Sequence, residues 1–321
     1  MARKHQGGAA LLMVIVVLAL LAAGLTWLVQ DGRQQVDAVR LLQQRLQARG
    51  MEQAGLAFAE QALQDPTWRT SPLFWQALRG QPLSYAFAGG SAQLRIRDLH
   101  GCFNVNALIG EDAERAERQL RRLLGDDLAA ERLTQALADW IDSDSQSRLH
   151  GAENDQYRRQ SPPRLAANQM MLDMSELNLL LEPDPQRQAR YPQLCALPET
   201  TAWRLNANSI NLDQLPLLDA LYEGEFAPSL LTRIVTARPA GGYRDAAALR
   251  SALGALDDQA FEKLSEGLLL NSRHFLLQLQ FEQDQQMLRS QFQVRAQGVV
   301  QWHALVPAQR VQVLSREPLP W

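Results

Sequence analysis

The feature that most constrains this chain is an uninterrupted apolar run near its N-terminus. No formal charge occurs at positions 6–30, and positions 9–29 are almost entirely apolar. As an α-helix, this run is long enough to cross the ~30 Å hydrocarbon core of a bilayer. Arg3 and Lys4 precede it, and no comparable basic cluster follows at once. The positive-inside rule therefore predicts a cytoplasmic N-terminus and an exported remainder.

Two small residues precede the apolar run. A secretory signal peptide has its small residues after a shorter apolar core, whereas Gly7 and Gly8 stand before this one. The order resembles the class III leader of type IV pilins and pseudopilins, which prepilin peptidase cuts after a glycine at the junction between basic and apolar residues. The resemblance predicts a cut after Gly8, so that the mature chain begins at Ala9 and keeps the apolar helix. An uncleaved signal anchor is the alternative.

The helical pattern continues after the apolar run. Apolar residues recur there at three- and four-residue steps among Gln and Arg, at Val36, Val39, Leu42 and Leu46. This spacing predicts one long helix to about Asp65, weakened at Gly50 and ended by Pro66. A coiled-coil stalk is the alternative, but the apolar stripe is too short and irregular to favour it.

The rest of the chain mixes two periodicities. Turn-forming residues mark a loop after the long helix, at Pro72, Gly80, Pro82, Gly89 and Gly90. Alternation of apolar and polar residues predicts strands at 92–97, 277–281, 291–295, 299–305 and 311–314. Helical spacing predicts helices at 113–124, 128–141, 172–181, 217–222 and 230–237.

These patterns predict an α+β fold. A long N-terminal helix packs on an antiparallel sheet, and a large all-α domain is inserted between the strands. The predicted segments are a leader (1–8), the transmembrane and amphipathic helix (9–65), the first part of the sheet domain (66–102), the inserted domain (103–271) and the remaining strands (272–321).

The inserted segment contains an internal echo. The runs FNVNAL at 103–108 and LNANSI at 205–210 share an alternation of apolar residues with asparagine, and a helical pattern follows each. Asparagine is a favoured N-cap, because its side chain accepts a hydrogen bond from a free amide of the first turn. The echo indicates two related helical modules or two independent caps.

An acidic loop follows the predicted helix 128–141 and concentrates oxygen ligands of the kind that calcium needs. Counted from Asp142, residues 3, 5 and 12 are Asp144, Gln146 and Glu153, close to EF-hand spacing. Ser147 stands where that motif requires glycine, which argues against a true EF-hand. The first expected ligands are Asp142, Asp144 and Glu153; the weaker candidates are Gln146, Asp155 and Asp173. A solvated acidic loop with helix caps is the alternative.

Composition and motifs argue against several other functions. The formal net charge of −3 gives no general attraction to nucleic acid. The two-helix rhythm of 205–253 resembles helix-hairpin-helix DNA-binding proteins, but it lacks their glycine hairpin and a basic patch. Paired carboxylates can hydrolyse glycosides, yet no nucleophile elbow, phosphate loop or zinc-ligand spacing occurs. We expect a protein that is not an enzyme and does not bind nucleic acid.

The two cysteines are Cys102 and Cys195, so neither a zinc finger nor a CxxC redox motif can form. They are either free thiols or one disulfide. Export to an oxidising compartment favours the disulfide.

Four runs together resemble the minor pseudopilin K family of bacterial type II secretion systems. They are RKHQGGAALLM at 3–13, DLHGCFNVNAL at 98–108, CALP at 195–198 and LNAN at 205–208. Most pilins carry glutamate five residues after the cut, whereas this chain has Met13, and lack of that glutamate is expected of this family. The resemblance implies calcium at two sites in the inserted domain and a Cys102–Cys195 disulfide.

The resemblance also implies a structural function. Members of this family join minor pseudopilins I and J at the tip of the pseudopilus and prime the fibre that exports folded exoproteins. Implied further partners are other pseudopilins, inner-membrane secretion components and prepilin peptidase. The implied location is the bacterial inner membrane, with a single pass and a periplasmic head. A minor pilin of a type IV pilus is the nearest alternative.

Overall fold

The computed structural model describes residues 7–69, 71–87, 90–180, 191–197, 200–283, 286–297, 299–303 and 312–314. Its helices are α1 (Gly7–Gln64), α2 (Pro66–Arg69), α3 (Pro72–Leu78), α4 (Ala113–Leu124), α5 (Leu128–Ile141), α6 (Asn154–Arg158), α7 (Leu215–Leu221), α8 (Pro228–Thr236), α9 (Ala246–Leu253) and α10 (Asp258–Glu266). Its strands are β1 (Leu83–Phe87), β2 (Gly90–Asp98), β3 (Phe103–Asn104), β4 (Leu194–Cys195), β5 (Leu205–Asn206), β6 (Leu268–Leu269), β7 (His274–Gln283), β8 (Gln286–Gln297), β9 (Val299–His303) and β10 (Gln312–Leu314).

The chain divides into two compact units, Met1–Ala54 and Gly55–Trp321. The described residues of the first unit all belong to α1, so the predicted long helix is confirmed. Gly50 lies inside this helix without interrupting it. The segment Leu11–Arg40 is long and apolar enough to cross a membrane, and its large apolar side chains are exposed. It fits a single-pass membrane anchor.

The predicted loop after α1 is confirmed only at 79–82, because α3 and β1 form on either side of it; Gly89 lies outside the described residues. Ser71 starts α3 by accepting a hydrogen bond from the Phe74 amide (3.2 Å), and Pro72 occupies the first turn, where no amide donor is needed. Phe74 and Trp75 then bury their rings. Tyr85 lies on β1 and is exposed, which fits the edge position of this strand.

The predicted antiparallel sheet is confirmed. Its strands lie in the order β1-β2-β7-β8-β10, with β9 also paired to β8. In β2 and β7, Leu94 lies opposite Leu279 and Ile96 opposite Leu277, and all four are buried. One face of the sheet therefore supplies a core. The sheet consists of strands that precede and follow the helical region, because β2 pairs directly with β7.

The helical region between β2 and β7 has its own core. Its buried side chains include Leu120, Leu137, Tyr157, Leu217 and Tyr222. The region is not wholly helical as predicted, because β3 pairs with β4 and β5 with β6 in short parallel ladders.

The predicted helix 172–181 is shorter than expected and is a 3₁₀ helix, Met174–Leu179; residue 181 lies outside the described residues. Asp173 caps it by accepting a hydrogen bond from the Ser175 amide (2.7 Å). Such local side-chain bonds from Asp and Ser compete with the α-helical pattern, which explains the tighter turn.

The two asparagine frames adopt the same local structure. Asn106 Oδ1 accepts a hydrogen bond from the Met171 amide (2.7 Å), and its Nδ2 donates to the Met171 carbonyl (3.0 Å). Asn208 binds Tyr243 in the same way, at 2.7 Å and 2.9 Å. Each frame also begins with a short parallel strand pair, β3–β4 or β5–β6. The structure therefore favours two related modules over independent caps.

Candidate metal site

The acidic loop joins α5 to α6 and is held at both ends. Asp127 begins α5 by accepting a hydrogen bond from the Ala130 amide (2.8 Å). At the other end of α5, Trp140 packs edge-on against Tyr157 of α6, with ring centroids 5.0 Å apart. Both rings are buried. These contacts fix the ends of the loop, and the carboxylates between them gain defined positions.

Three carboxylates of this loop come together. Asp142, Asp144 and Glu153 each offer one oxygen, and these oxygens lie within 4.8 Å of one another. Asp144 Oδ1 also accepts a hydrogen bond from the Gln146 amide (2.7 Å), which turns the chain after Asp144. The three ligands expected first are thus the three that the fold groups.

Glu153 is the buried member of this group. Its relative exposure is 4%, and no side chain among the described residues satisfies either of its buried carboxylate oxygens. Burial, together with the nearby charges of Asp139 and Asp142, raises the pKa of Glu153 to about 7. Asp142 Oδ1 is also buried without a hydrogen-bond partner in the described part of the chain.

One arginine of the loop, Arg148, pairs with three nearby carboxylates. Arg148 Nη1 lies 2.6 Å from Asp139 Oδ1 and 2.6 Å from Asp142 Oδ2, and its Nε lies 3.4 Å from Glu117 Oε1. The Arg148 backbone amide also donates to Asp139 Oδ2 (3.0 Å). Asp139 is fully buried, and burial raises its pKa while these hydrogen bonds oppose the rise.

The charge of Arg148 is stabilised by these contacts. Burial lowers the pKa of its guanidinium, but the hydrogen bonds to Asp142 and Asp139 outweigh this effect and raise the pKa overall. Burial also raises the pKa of Glu117.

The weaker ligand candidates lie elsewhere. Asp155 is exposed and pairs with Arg158 (3.1 Å), and Asp173 caps the 3₁₀ helix Met174–Leu179. Neither belongs to the group of three. Gln146 is exposed, and its backbone amide binds Asp144.

Sequence reasoning missed the supporting residues. Neither Arg148 nor Asp139 was expected to take part, although an acid within the buried end of α5 is a signal that a cation lies nearby. Glu176 was also missed: its Oε2 accepts a hydrogen bond from Trp140 Nε1 (2.9 Å), and its Oε1 accepts one from the Leu172 amide (2.9 Å). Glu176 thereby links the 3₁₀ helix to the end of α5.

The grouped residues fit a hard cation. Carboxylate oxygens are the ligands that Ca²⁺ prefers, and a buried carboxylate without a cationic partner is costly unless a positive charge reaches it. Glu153 meets this description, and Asp142 and Asp144 add charge at the same point.

The cysteines are joined. Cys102 and Cys195 form a disulfide with Cα atoms 5.8 Å apart, so the predicted pairing is confirmed. It links the segment after β2 to β4 and is buried with Leu99, Leu197 and Leu276.

The expected processing residues Gly8 and Ala9 lie in α1, and residues 1–6 of the leader lie outside the described residues.

Two family models match the chain. The first, "Type II secretion system (T2SS), protein K", first-domain model, covers residues 101–199, and the second, with the same description, covers residues 205–295. The chain belongs to the type II secretion system protein K family. The boundary between the two matches falls between the two asparagine frames, in agreement with two modules.

Curated relatives of the protein K family extend the match. The chain is 33% identical to type II secretion system protein K of Klebsiella pneumoniae over 77% of this chain and 79% of the relative. It is 30% identical to the protein K of Pectobacterium carotovorum over 87% of this chain and 89% of the relative. A solved structure, the GspK-GspI-GspJ complex of enterotoxigenic Escherichia coli, matches with a TM-score of 0.60 and 25% identity, covering 80% of this chain and 97% of the other.

The protein K family is a structural component of type II secretion, which agrees with the expectation of a minor pseudopilin. The match at 205–295 contains the segment that suggested paired DNA-binding helices. In that segment, Gly242 and Tyr243 are buried against Asn208. The matches do not favour a type IV minor pilin.

Proposed function

We propose that this minor pseudopilin assembles with minor pseudopilins I and J at the tip of the type II secretion pseudopilus. There it primes the fibre that exports folded exoproteins. The observation that carries the proposal is the likeness to a protein solved in a GspK-GspI-GspJ complex, which extends over 97% of that chain. The helical region between β2 and β7 supports a tip position, because a subunit stacked above would meet its bulk.

The N-terminus supports the same placement. Prepilin peptidase cuts after Gly8, and the mature protein is held in the bacterial inner membrane by the start of α1, with its head in the periplasm. Arg3 and Lys4 keep the leader cytoplasmic. Met13 replaces the glutamate that would pair with a subunit above, which suits a terminal subunit. Other pseudopilins and inner-membrane secretion components are further partners.

The acidic loop is a calcium site in this proposal. Asp142, Asp144 and Glu153 hold the ion, and Gln146, Asp155 and Asp173 remain candidates for additional ligands or for a second site. Calcium, when bound, supplies the positive charge that the Glu153 carboxylate lacks. Because the ion binds only the folded loop, it stabilises the head by mass action.

Co-purification tests the assembly. The full chain is expressed with prepilin peptidase and tagged pseudopilins I and J, extracted in mild detergent and captured through the tag. We expect the chain to elute with both partners and its N-terminal residue to be Ala9 by mass spectrometry. The same capture with type IV minor pilins in place of I and J is the control. Failure of the chain to elute with either pseudopilin I or J would refute the tip assignment. An uncut N-terminus would refute only the processing.

Thermal unfolding tests the calcium site. Calcium at a hundred times its Kd stabilises a folded protein by about 2.7 kcal/mol, which corresponds to a rise of several degrees in Tm. We expect this rise in the wild-type chain and its loss in Glu153→Gln, which keeps the shape but removes the charge. Glu111→Gln is the matched control, because it makes the same change at an exposed carboxylate outside the acidic loop. An unchanged Tm of the wild-type chain on chelation would refute the site.

A further inference from the structure

The carboxylates of the acidic loop repel one another when no cation is bound. Asp139 lies in the last turn of α5, and Asp142, Asp144 and Glu153 lie between α5 and α6. Arg148 is the only Lys or Arg that pairs with any of these four among the described residues. The negative charge of the loop thus exceeds its positive charge, and one guanidinium supplies the entire compensation.

The contacts of Arg148 divide the carboxylates into two sets. Asp139 is fully buried, and Arg148 satisfies both of its oxygens, one through Nη1 (2.6 Å) and one through the backbone amide (3.0 Å). Asp142 is shared: Oδ2 binds Arg148 (2.6 Å), whereas Oδ1 is buried without a partner in the described part of the chain. Arg148 therefore satisfies Asp139 completely and Asp142 only in part, because Asp142 Oδ1 keeps no hydrogen-bond partner in the described part of the chain.

We propose that Arg148 is an internal counter-ion of the metal site, which holds the loop carboxylates together before calcium binds and weakens calcium binding once it arrives. The proposal rests on the proposed calcium site and adds a residue that controls its affinity. In the protein without calcium, the guanidinium neutralises Asp139 and relieves the repulsion between Asp142 and its neighbours. With calcium bound, the same positive charge lies beside another cation and opposes it, because like charges repel.

Both effects of Arg148, on the calcium-free loop and on calcium binding, can be read from the stability that its substitution removes with and without calcium. Removal of the Arg148 charge leaves Asp139 buried without its cation. The calcium-free protein therefore loses more stability than the calcium-bound protein does. Calcium then replaces part of the missing positive charge and recovers part of the loss. By linkage, a smaller loss in calcium than in chelator means that the variant binds calcium more tightly than the wild-type chain does.

The test compares Arg148→Gln with Arg122→Gln in the full chain in detergent, each with excess calcium and with chelator. Arg122 is the matched control, because it binds Asp219 at 2.6 Å in an ion pair between α4 and α7, outside the acidic loop. We expect Arg148→Gln to bind calcium about tenfold more tightly by calorimetry, which is ~1.4 kcal/mol and adds ~2–4 °C to the calcium-induced rise in Tm. Arg122→Gln should leave that rise unchanged, and Arg148→Lys, which keeps the charge, should remain close to the wild-type chain.

Each outcome decides a separate point. Equal losses of Tm in calcium and in chelator would show that Arg148 has a structural role alone, and weaker calcium binding by Arg148→Gln would show that it positions a ligand; either result overturns the proposal. A loss in chelator no larger than that of Arg122→Gln also overturns it. Absence of any calcium response in the wild-type chain would instead refute the calcium site itself.

Discussion

The substitution of Asn106 by alanine tests the two-module architecture most directly. Asn106 is fully buried, and its side chain binds three backbone groups: the Met171 amide (2.7 Å), the Met171 carbonyl (3.0 Å) and the Leu197 carbonyl (3.1 Å). Alanine satisfies none of them. A buried polar group left without a partner costs about 1–3 kcal/mol, so we expect Asn106→Ala to lower the free energy of unfolding by about 3–5 kcal/mol.

Urea-induced unfolding of the full chain in nonionic detergent, followed by tryptophan fluorescence, measures this loss. Asn208→Ala removes the equivalent bonds to Tyr243 and Leu270 and should cost the same within about 1 kcal/mol. Asn178→Ala is the control at an exposed position and should change stability by no more than about 0.5 kcal/mol. A loss below about 1 kcal/mol for Asn106→Ala would refute the reasoning, because the three backbone groups would then have other partners.

Four further predictions concern the disulfide and the acidic loop. Replacement of Cys102 and Cys195 by alanine removes a cross-link between residues 93 positions apart, and chain entropy predicts a loss of about 4.6 kcal/mol in urea unfolding; a loss below about 1 kcal/mol would contradict this. Because burial raises the pKa of Glu153 to about 7, its protonated form stabilises the calcium-free head at low pH, and this contribution is lost as the pH rises through about 7. Protonation also competes with calcium, so calorimetry should give a Kd about tenfold weaker at pH 6 than at pH 8, and a Kd independent of pH would exclude Glu153 as a ligand. A Cβ atom on Gly151 would overlap the Asp139 carboxylate, so Gly151→Ala should cost about 1–3 kcal/mol, whereas Gly241→Ala, at a position with open space, should leave the Tm unchanged.

Much of the fold follows from local patterns in the sequence. The apolar run and the stripe after it predict α1, and alternation in β2 and β7 predicts the sheet, because each pattern reports on a single element. Elements with weak patterns were missed. Asp245 and Asp257 cap α9 and α10 by accepting hydrogen bonds from amides three residues on, a signal that was present but not used.

The candidate metal site was likewise predictable where its residues are close in sequence and not where tertiary packing brings them together. The spacing of Asp142, Asp144 and Glu153 in one loop was enough to name them, since ligands in one loop are close in space whatever the details. The role of Arg148 depends on which carboxylate it faces after the loop has turned. Glu117 comes from α4 and reaches Arg148 only through the packing of α4 on α5, which no local pattern encodes.

The helical region is connected to the sheet through two neighbouring strands. Asp98, the last residue of β2, lies opposite Phe275 near the start of β7, so the chain leaves the sheet and returns to it on neighbouring strands. Adjacent strands lie ~4.8 Å apart, a gap that a turn of two residues closes in an ordinary hairpin. Everything between them is topologically one hairpin loop that contains its own core. A chain in which a short turn replaces this region should therefore keep the strand order of the sheet.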